Sequence, residues 1–363
     1  MRIGILTFHR ALNYGAVLQC YALYYTIKSL GHDVEIIDYR PAYIEKYRNL
    51  LCWKEFFARK GLISKLRSIV YRFISYRDRK KVSKRFDFFL VSNMKFSKTL
   101  YESGSIPSYY DYIVFGSDQI WSPTICEGID PVFWGKMPLI RTRFITYAAS
   151  MGGHNYISDR EWNDIGNLLH NFYRISVREF LLQNIITEKF QVKAQTVVDP
   201  TFLVHPDVFE NISVIPQEQD YVLLFVVEKD EKAATFAKHI AEQLHSKVLT
   251  IHALPHYKAN NGIVDISGVS PGEFCGFFKY AKFVVTISFH GTAFSIIFRK
   301  DFYTLHSVQE DRAYNLLNQL GLQNRMVNSS DHLDATKVNY ANIAPQIEDL
   351  RNSSLHYLKS SLL

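Results

Sequence analysis

The sequence has few cysteines and no long apolar run. Its four cysteines are scattered and form no C-x-x-C pair, which argues against a disulfide framework and against a cysteine zinc site. The longest apolar run, at 221–227, is far too short to cross a bilayer, so no transmembrane helix is expected. The chain begins with a strand pattern rather than the ordered segments of a signal peptide. We therefore expect a cytoplasmic protein.

Several ligand motifs are also missing. The chain has no G-x-G-x-x-G, so a nicotinamide or flavin dinucleotide is not expected. It has neither H-E-x-x-H nor the paired aspartates of metal-dependent sugar transferases, so no metal site is predicted. It carries no helix-turn-helix, zinc-finger or RNA-binding sheet signature, which argues against a nucleic-acid partner.

Alternating strand and helix patterns fill the sequence. The first forty residues show a strand at 3–7, a turn at Asn13-Tyr14-Gly15, a helix at 17–30 and a strand at 34–39. This order indicates a parallel sheet, because two parallel strands need a crossover helix. Ligands bind at the carboxyl edge of such sheets. Asn13 and the backbone of Gly15 are therefore predicted to face the ligand crevice.

Further strands at 112–115, 143–149, 174–179 and 197–198 end in polar or glycine residues, and a second alternation starts near residue 206. A chain of 363 residues is long enough for two domains. We predict an α/β fold of two Rossmann-like domains facing a cleft, of the glycosyltransferase-B type. The first domain spans 1–205 with a helical insertion at about 42–100, and the second spans 206–330. Residues 331–363 form a helix that packs back toward the first domain.

The insertion is strongly basic. Between Lys54 and Lys98 many lysines and arginines are opposed by only three acidic residues, and apolar residues recur at near-helical spacing. A basic amphipathic helix of this kind suits an anionic membrane surface or a lipid-diphosphate acceptor. The alternative is an ordinary solvated helical face. Segment 54–98 is thus a candidate for peripheral membrane contact.

His290 is the leading candidate for a catalytic residue. It follows a buried strand pattern at 283–287, so it lies at the carboxyl edge of the second sheet. Gly291 allows close approach of a ligand, and the helix that starts here offers free N–H groups to an anion. The alternative is a core histidine that is bonded to backbone. Ser288, Gly291 and Thr292 are the predicted donor-binding residues beside it.

Five motifs in fixed order resemble the polysaccharide pyruvyl transferase family over nearly the whole chain. They are Asn13-Tyr14-Gly15 with 18–23, Gly116-Ser117-Asp118-Gln119-Ile120-Trp121, Ser176-Val177-Arg178-Glu179, Asp199-Pro200-Thr201 and Ser288-Phe289-His290-Gly291-Thr292. The resemblance implies a glycosyltransferase-B-like fold. It also implies transfer of the enolpyruvyl carbons of phosphoenolpyruvate to two sugar hydroxyls, which leaves a cyclic pyruvate ketal and phosphate. No cofactor beyond this donor substrate is expected.

The resemblance also implies roles for single residues. His290 matches the family's proton-transferring histidine, and a histidine titrates near neutrality. Arg178 matches the family's arginine, and a guanidinium binds carboxylate or phosphate in a bidentate manner. The alternative for Arg178 is a surface ion pair with Glu179.

The Gly116–Trp121 motif is a candidate acceptor site. Asp118 and Gln119 are predicted to hydrogen-bond the acceptor sugar, and Trp121 to stack on the apolar face of the sugar. The alternative is a polar turn followed by a buried aromatic residue.

One position departs from the family pattern. Some members carry an arginine two positions before the histidine, where this chain has Ser288. One contact to the donor would then be missing. The amides of Gly291 and Thr292, or the side chain of Arg325, are candidates to replace it.

The sequence thus predicts a cytoplasmic pyruvyl transferase that acts on a hexose of a lipid-linked oligosaccharide during capsule or exopolysaccharide assembly. Segment 54–98 would hold it at the inner face of the cell membrane. A glycosyltransferase with a nucleotide-sugar donor is the alternative enzyme. A non-catalytic sugar-binding or lipid-diphosphate-binding protein is the alternative from another class.

Overall fold

Two parallel sheets, one in each half of the chain, form the framework of the computed structural model. The structure describes residues 1–45, 48, 62–100, 106–152, 157–226, 230–253, 262–305, 311–328 and 334–363. None of the helices in these ranges is long and apolar enough to span a bilayer. The two sheets confirm the predicted α/β fold with two Rossmann-like halves.

The first half contains a sheet with strand order β2-β1-β3-β4. Its strands are β1 (Arg2–Leu6), β2 (Asp33–Ile36), β3 (Tyr112–Phe115) and β4 (Arg143–Thr146). Parallel bridges extend this sheet to β5 (Ile175–Val177), which pairs with β6 (Ala194–Thr196). The helices of this half are α1 (Tyr14–Ser29), α2 (Ala42–Glu45), α3 (Leu62–Asn93), α4 (Asp159–Leu169) and α5 (Phe180–Phe190). Because the strands are parallel, their carboxyl ends share one edge.

A short connection leads to the second half. It consists of a 3-10 turn at Pro200–Phe202 and helix α6 (Pro206–Ile212). The second sheet has the order β12-β11-β10-β7-β8-β9. Its strands are β7 (Tyr221–Phe225), β8 (Lys247–His252), β9 (Ile263–Ser267), β10 (Phe283–Thr286), β11 (Asp301–Leu305) and β12 (Met326–Val327). The helices are α7 (Glu231–Gln243), α8 (Pro271–Tyr280), α9 (Phe289–Ile297), α10 (Asp311–Gln319) and α11 (Tyr340–Ser361).

Burial explains why the central strands are so apolar. All residues of β3, β7 and β10 are buried. Helices cover both faces of a parallel sheet, so neither face of these strands needs polar side chains. Local signals set the helix starts: Ser270 and Glu273 form a capping box at α8, with Pro271 in the first turn.

The two halves are in direct contact through α1 and α3. Tyr14, at the start of α1, stacks on Phe274 of α8 with 4.5 Å between ring centroids and donates a hydrogen bond to the Val269 carbonyl at 3.0 Å. Arg85 of α3 forms an ion pair with Glu273. The predicted helical insertion therefore packs against both halves. Residues 46, 47 and 49–61 of the insertion lie outside the described residues.

Helix α11 crosses back onto the first half. Tyr357 donates to the Thr146 carbonyl at 3.0 Å, and the Ser354 hydroxyl accepts from Val198 N–H at 3.1 Å. Arg351 donates to the Phe202 carbonyl at 2.9 Å. These contacts fix the end of β4 and the segment at 198–202, which carries part of the site described below.

Candidate functional site

Asp199 lies at the centre of a buried polar cluster between the two halves. Its Oδ1 accepts from the N–H of Thr201 at 3.0 Å and from the Thr201 hydroxyl at 2.8 Å. Its Oδ2 accepts from Arg178 Nη1 at 2.8 Å and from the Ser117 hydroxyl at 3.3 Å. Burial alone would raise the pKa of this carboxyl, but His290, Arg178 and the Thr201 donor hold that pKa well below its usual range. Asp199 is therefore an anionic anchor for its neighbours.

Arg178 directly follows β5 and is one of these neighbours. Its guanidinium carbon is 4.8 Å from the centre of the Phe289 ring, and its Nε is 3.7 Å from Glu179 Oε1. Burial by itself would lower the pKa of Arg178, but the attraction of Asp199 and Glu179 raises it. Its Nε and Nη2 are buried without a hydrogen-bond partner in the protein. Arg178 therefore keeps its charge and has two N–H groups to offer to a ligand.

Glu179 adds a second carboxyl group, and its pKa is shifted in the opposite direction from that of Asp199. The Ser150 hydroxyl donates to its Oε1, while its Oε2 is buried without a hydrogen-bond partner. Burial raises the pKa of Glu179 and outweighs the opposite effect of Arg178. Glu179 therefore holds a proton more readily than an exposed glutamate does. The surface ion pair considered from the sequence is in fact a buried contact.

His290 comes from the second half, in the first turn of α9. Its Nε2 is 3.7 Å from Asp199 Oδ2 and has no hydrogen-bond partner, and its side chain is 11% exposed. A Cβ on Gly15 would lie 2.1 Å from His290 Nδ1. Glycine at position 15 therefore lets the imidazole lie against the first turn of α1. The structure thus brings together the two predicted catalytic residues, His290 and Arg178, through their shared neighbour Asp199.

The predicted donor-binding residue Asn13 stands at the start of α1. It is exposed and caps the helix, since its Oδ1 accepts from Ala16 N–H at 3.2 Å. Gly15 contacts His290, as described above. Their contacts to a donor stay predictions.

The donor-binding residues predicted around α9 differ in accessibility. Ser288 occupies the cap position of α9 without a side-chain capping bond, and its N–H donates to Thr286 Oγ1. A Cβ on Gly291 would lie 2.1 Å from the same Thr286 Oγ1. Thr292 is fully buried, and its hydroxyl is bonded to the Ser288 carbonyl and to the Thr304 hydroxyl. Its N–H also donates to the Ser288 carbonyl, so Thr292 offers no group to a ligand in this structure.

The predicted acceptor loop follows β3 at the same sheet edge. The Gly116–Ser117 peptide bond is cis, and Asp118 has a φ of 72°. Asp118 Oδ1 accepts from Gln119 N–H at 2.8 Å, and both residues are partly exposed. The Gln119 side chain packs on Gly152, where a Cβ would lie 2.2 Å from its Oε1. Asp118 and Gln119 stay predictions as acceptor-binding residues.

Trp121 lies in the core instead of lining the cleft. Its ring stacks on Trp134 with 4.4 Å between centroids, its Nε1 donates to the Phe133 carbonyl at 2.9 Å, and it is 1% exposed. The indole is therefore not accessible for stacking on a sugar in this structure. The structure therefore agrees with the alternative considered from the sequence, in which Trp121 is a buried aromatic residue after a polar turn.

Arg325, a candidate from the sequence to replace the missing donor contact, is bound elsewhere, and a different arginine, Arg312, lies near the site. Arg325 is buried and donates to the carbonyls of Thr336 and Lys337, so it fastens a loop of the second half. Arg312, in the first turn of α10, has its guanidinium carbon 5.8 Å from the centre of the Phe289 ring. It also lowers the pKa of Glu179, less than burial raises it. Arg312 is therefore the second arginine near the site, and no motif in the sequence marks it.

No metal centre is evident in the described ranges. They contain no group of three or more histidine, cysteine, aspartate or glutamate side chains that is arranged to hold a metal ion. The described residues of the site include the carboxylate of Asp199 and the guanidinium groups of Arg178 and Arg312, with Glu179 and His290 beside them.

Comparison with known proteins identifies one family. The model of the polysaccharide pyruvyl transferase family matches residues 13–305, which include every residue of the site except Arg312. A search of curated protein sequences gave no significant match.

Similar solved structures are more distant. UDP-GlcNAc 2-epimerase from Methanocaldococcus jannaschii is 13% identical with a TM-score of 0.45, over 97% of this chain and 93% of that one. UDP-GlcNAc 2-epimerase from Neisseria meningitidis is 9% identical with a TM-score of 0.49, over 99% and 94%. E. coli heptosyltransferase WaaC with ADP is 9% identical with a TM-score of 0.40, over 96% and 100%. Likenesses this weak carry no conclusion about activity.

Proposed function

This chain belongs to the polysaccharide pyruvyl transferase family and is a transferase, and we propose that it moves pyruvate from phosphoenolpyruvate onto a hexose of a cell-surface polysaccharide precursor. In this reaction one sugar hydroxyl adds to C2 of the donor while the methylene carbon gains a proton and becomes a methyl group. A second hydroxyl then displaces the phosphate. The products are a cyclic pyruvate ketal and inorganic phosphate.

The observation that carries the proposal is a set of buried nitrogen atoms without hydrogen-bond partners. Arg178 Nε, Arg178 Nη2 and His290 Nε2 have no hydrogen-bond partner in the protein. Buried polar groups are almost always bonded, so such a cluster fits acceptor oxygens that a ligand brings. Phosphoenolpyruvate carries a carboxylate and a phosphate, and a guanidinium binds either of them through two parallel hydrogen bonds.

Two groups at the site suit the two proton transfers. We assign the protonation of the methylene carbon to His290, because an imidazole is a common general acid and its Nε2 has no hydrogen-bond partner in the protein. We assign removal of the hydroxyl proton to Glu179. Burial raises the pKa of Glu179, and a carboxylate with a higher pKa is a stronger base.

Arg312 fits the role of a second cation for the donor. The guanidinium carbons of Arg178 and Arg312 are 4.8 and 5.8 Å from the centre of the same Phe289 ring. A donor with two anionic groups would therefore meet two cations near one another. In this proposal Arg312 replaces the arginine that some family members carry at the position of Ser288.

The test is acceptor-dependent release of phosphate from phosphoenolpyruvate, with a panel of lipid-linked and nitrophenyl hexosides. We expect His290→Gln and Arg178→Lys to lower the rate by about 100-fold or more. His205→Gln and Arg174→Lys are matched controls, because both side chains are exposed, and they should leave the rate unchanged.

Two outcomes would contradict the proposal. Absence of release with every acceptor, together with thermal stabilisation by a nucleoside diphosphate sugar and none by phosphoenolpyruvate, would favour a glycosyltransferase. Release that is unaffected by both site variants would place the reaction elsewhere on the chain.

A further inference from the structure

The C-terminal part of α3 has an exposed face that the proposed reaction does not use. This face, which we call the α3 stripe, consists of Arg77, Lys81, Lys84, Phe88 and Val91. The members are spaced three or four residues apart, so they lie along one side of the helix. Phe88 and Val91 are 72% and 68% exposed. Two large apolar side chains one turn apart thus continue a row of three cations.

The other side of the helix is fixed in the core. Val82, Phe86 and Phe89 are buried, and Phe86 packs on Tyr14 with 5.4 Å between ring centroids. The orientation of the stripe is therefore set by packing, and Phe88 and Val91 cannot turn inward without removing Phe86 and Phe89 from the core.

The acidic side chain of α3 that the structure describes is already paired with cations. Asp87, the acidic residue nearest to Lys84 on the helix, forms ion pairs with Arg48 and Arg10. Its carboxylate is therefore already neutralised by cations from outside α3. The chain as a whole carries a net charge of +7.

We propose that the α3 stripe docks on an anionic lipid bilayer. Lysine and arginine are attracted to the negative headgroups, and exposed phenylalanine and valine side chains insert at the boundary between headgroups and acyl chains. Binding to an anionic bilayer requires cations and exposed apolar side chains on the same face of a helix, and the α3 stripe has both. A nucleic acid would use the cations but not Phe88 and Val91.

Contacts of α3 link this surface to the cleft. Arg10 lies in the loop between β1 and α1, on the same stretch as Asn13 and Gly15, and it forms an ion pair with Asp87. A bilayer docked on the stripe would thus lie close to the rim of the cleft. That placement suits a lipid-linked acceptor, a consequence that depends on the proposed function, whereas bilayer binding itself does not.

The experiment is sedimentation of the full chain with vesicles of phosphatidylcholine, with and without phosphatidylglycerol. The wild type should pellet only with the anionic vesicles. Lys81→Glu with Lys84→Glu should weaken binding by about 30-fold or more, because each lysine near the surface contributes about fivefold. Phe88→Ser with Val91→Ser should also weaken it. The controls are Lys193→Glu with Lys232→Glu and Ile140→Ser with Ile215→Ser, which change exposed side chains elsewhere.

Three results would overturn the inference. One is failure of the wild type to bind anionic vesicles. Another is binding that both stripe variants retain, since the contact would then lie on another surface. The third is a dimer in analytical ultracentrifugation that Phe88→Ser with Val91→Ser converts to a monomer, since a second copy would then cover the stripe. Phosphate release with soluble nitrophenyl hexosides should be normal in all stripe variants, which separates this test from that of the proposed function.

Discussion

Replacement of Asp199 by asparagine is the sharpest test of how the site is held together. The substitution keeps the size of the side chain but exchanges one acceptor oxygen for a donor NH₂ group. Both carboxylate oxygens of Asp199 face donors, namely Thr201 at Oδ1 and Arg178 with Ser117 at Oδ2. Either orientation of the asparagine amide therefore places its NH₂ group against another donor.

The size of the effect follows from burial. The side chains of Asp199 and Arg178 are 0% and 3% exposed, so the remaining guanidinium would stay buried without its closest anion. Removal of one partner of a buried ion pair typically costs about 3–5 kcal/mol of the free energy of unfolding. We expect a loss of that size for Asp199→Asn at pH 7.

The loss should depend on pH with a defined sign. The pKa of Asp199 is lowered in the folded protein, so the unfolded chain binds the proton at a higher pH than the folded one. The stabilisation is therefore present above the unfolded pKa of about 4 and disappears as the pH falls toward the folded pKa. The difference in the free energy of unfolding between the wild type and Asp199→Asn should therefore become smaller as the pH is lowered.

Urea-induced unfolding at several pH values is the assay. Asp220→Asn is the control, because Asp220 pairs with Lys282 at 2.7 Å but its side chain is 70% exposed, and so exposed a pair contributes little to the free energy of unfolding. A cost below about 1 kcal/mol for Asp199→Asn would refute the reasoning. So would a cost that does not change with pH.

Three further predictions concern other residues. Gly15→Ala should lower phosphate release about 100-fold, since its Cβ would displace the His290 ring; a normal rate would show that this ring position is not needed. Trp121→Phe should lower the free energy of unfolding by about 1–2 kcal/mol, through loss of the bond to the Phe133 carbonyl, and leave the acceptor KM unchanged; a raised KM at unchanged stability would favour sugar stacking. Burial lowers the pKa of His252 to about 4, so the unfolded chain binds more protons between that pH and about 6.5. The free energy of unfolding, measured with urea, should fall by up to about 3 kcal/mol as the pH is lowered from about 6.5 to about 4. The His252→Gln variant should show a smaller change over the same pH range.

The parts of the site that local patterns govern were predictable. The strand patterns before Arg178 and His290 predict that both follow β-strands, and they lie just after β5 and β10. Parallel strands place these ends at the ligand-binding edge, so two side chains 112 positions apart could be assigned to one cleft. The helical pattern of the basic insertion likewise predicts α3.

The parts that depend on long-range packing were not predictable. Asp199 directly precedes the strand break predicted at Pro200, and only the fold shows that Arg178 and Ser117 both reach its Oδ2. The alternative considered for Arg178, a surface ion pair with Glu179, is a buried contact, and a sequence does not show burial. Trp121 follows a polar turn, yet its ring is turned into the core against Trp134. No local pattern separates these cases, since they depend on which elements pack together.

The contact between the halves links the catalytic geometry to tertiary packing. His290 belongs to the second half, but the space for its ring is set by Gly15 of the first half, and its anionic neighbour Asp199 belongs to the first half too. The Tyr14 ring, next to Gly15, is stacked on Phe274 of α8. The same turn of α1 thus joins the halves and shapes the histidine site. The site is therefore complete only when the two halves are docked, because neither half alone holds both the histidine and its carboxylate.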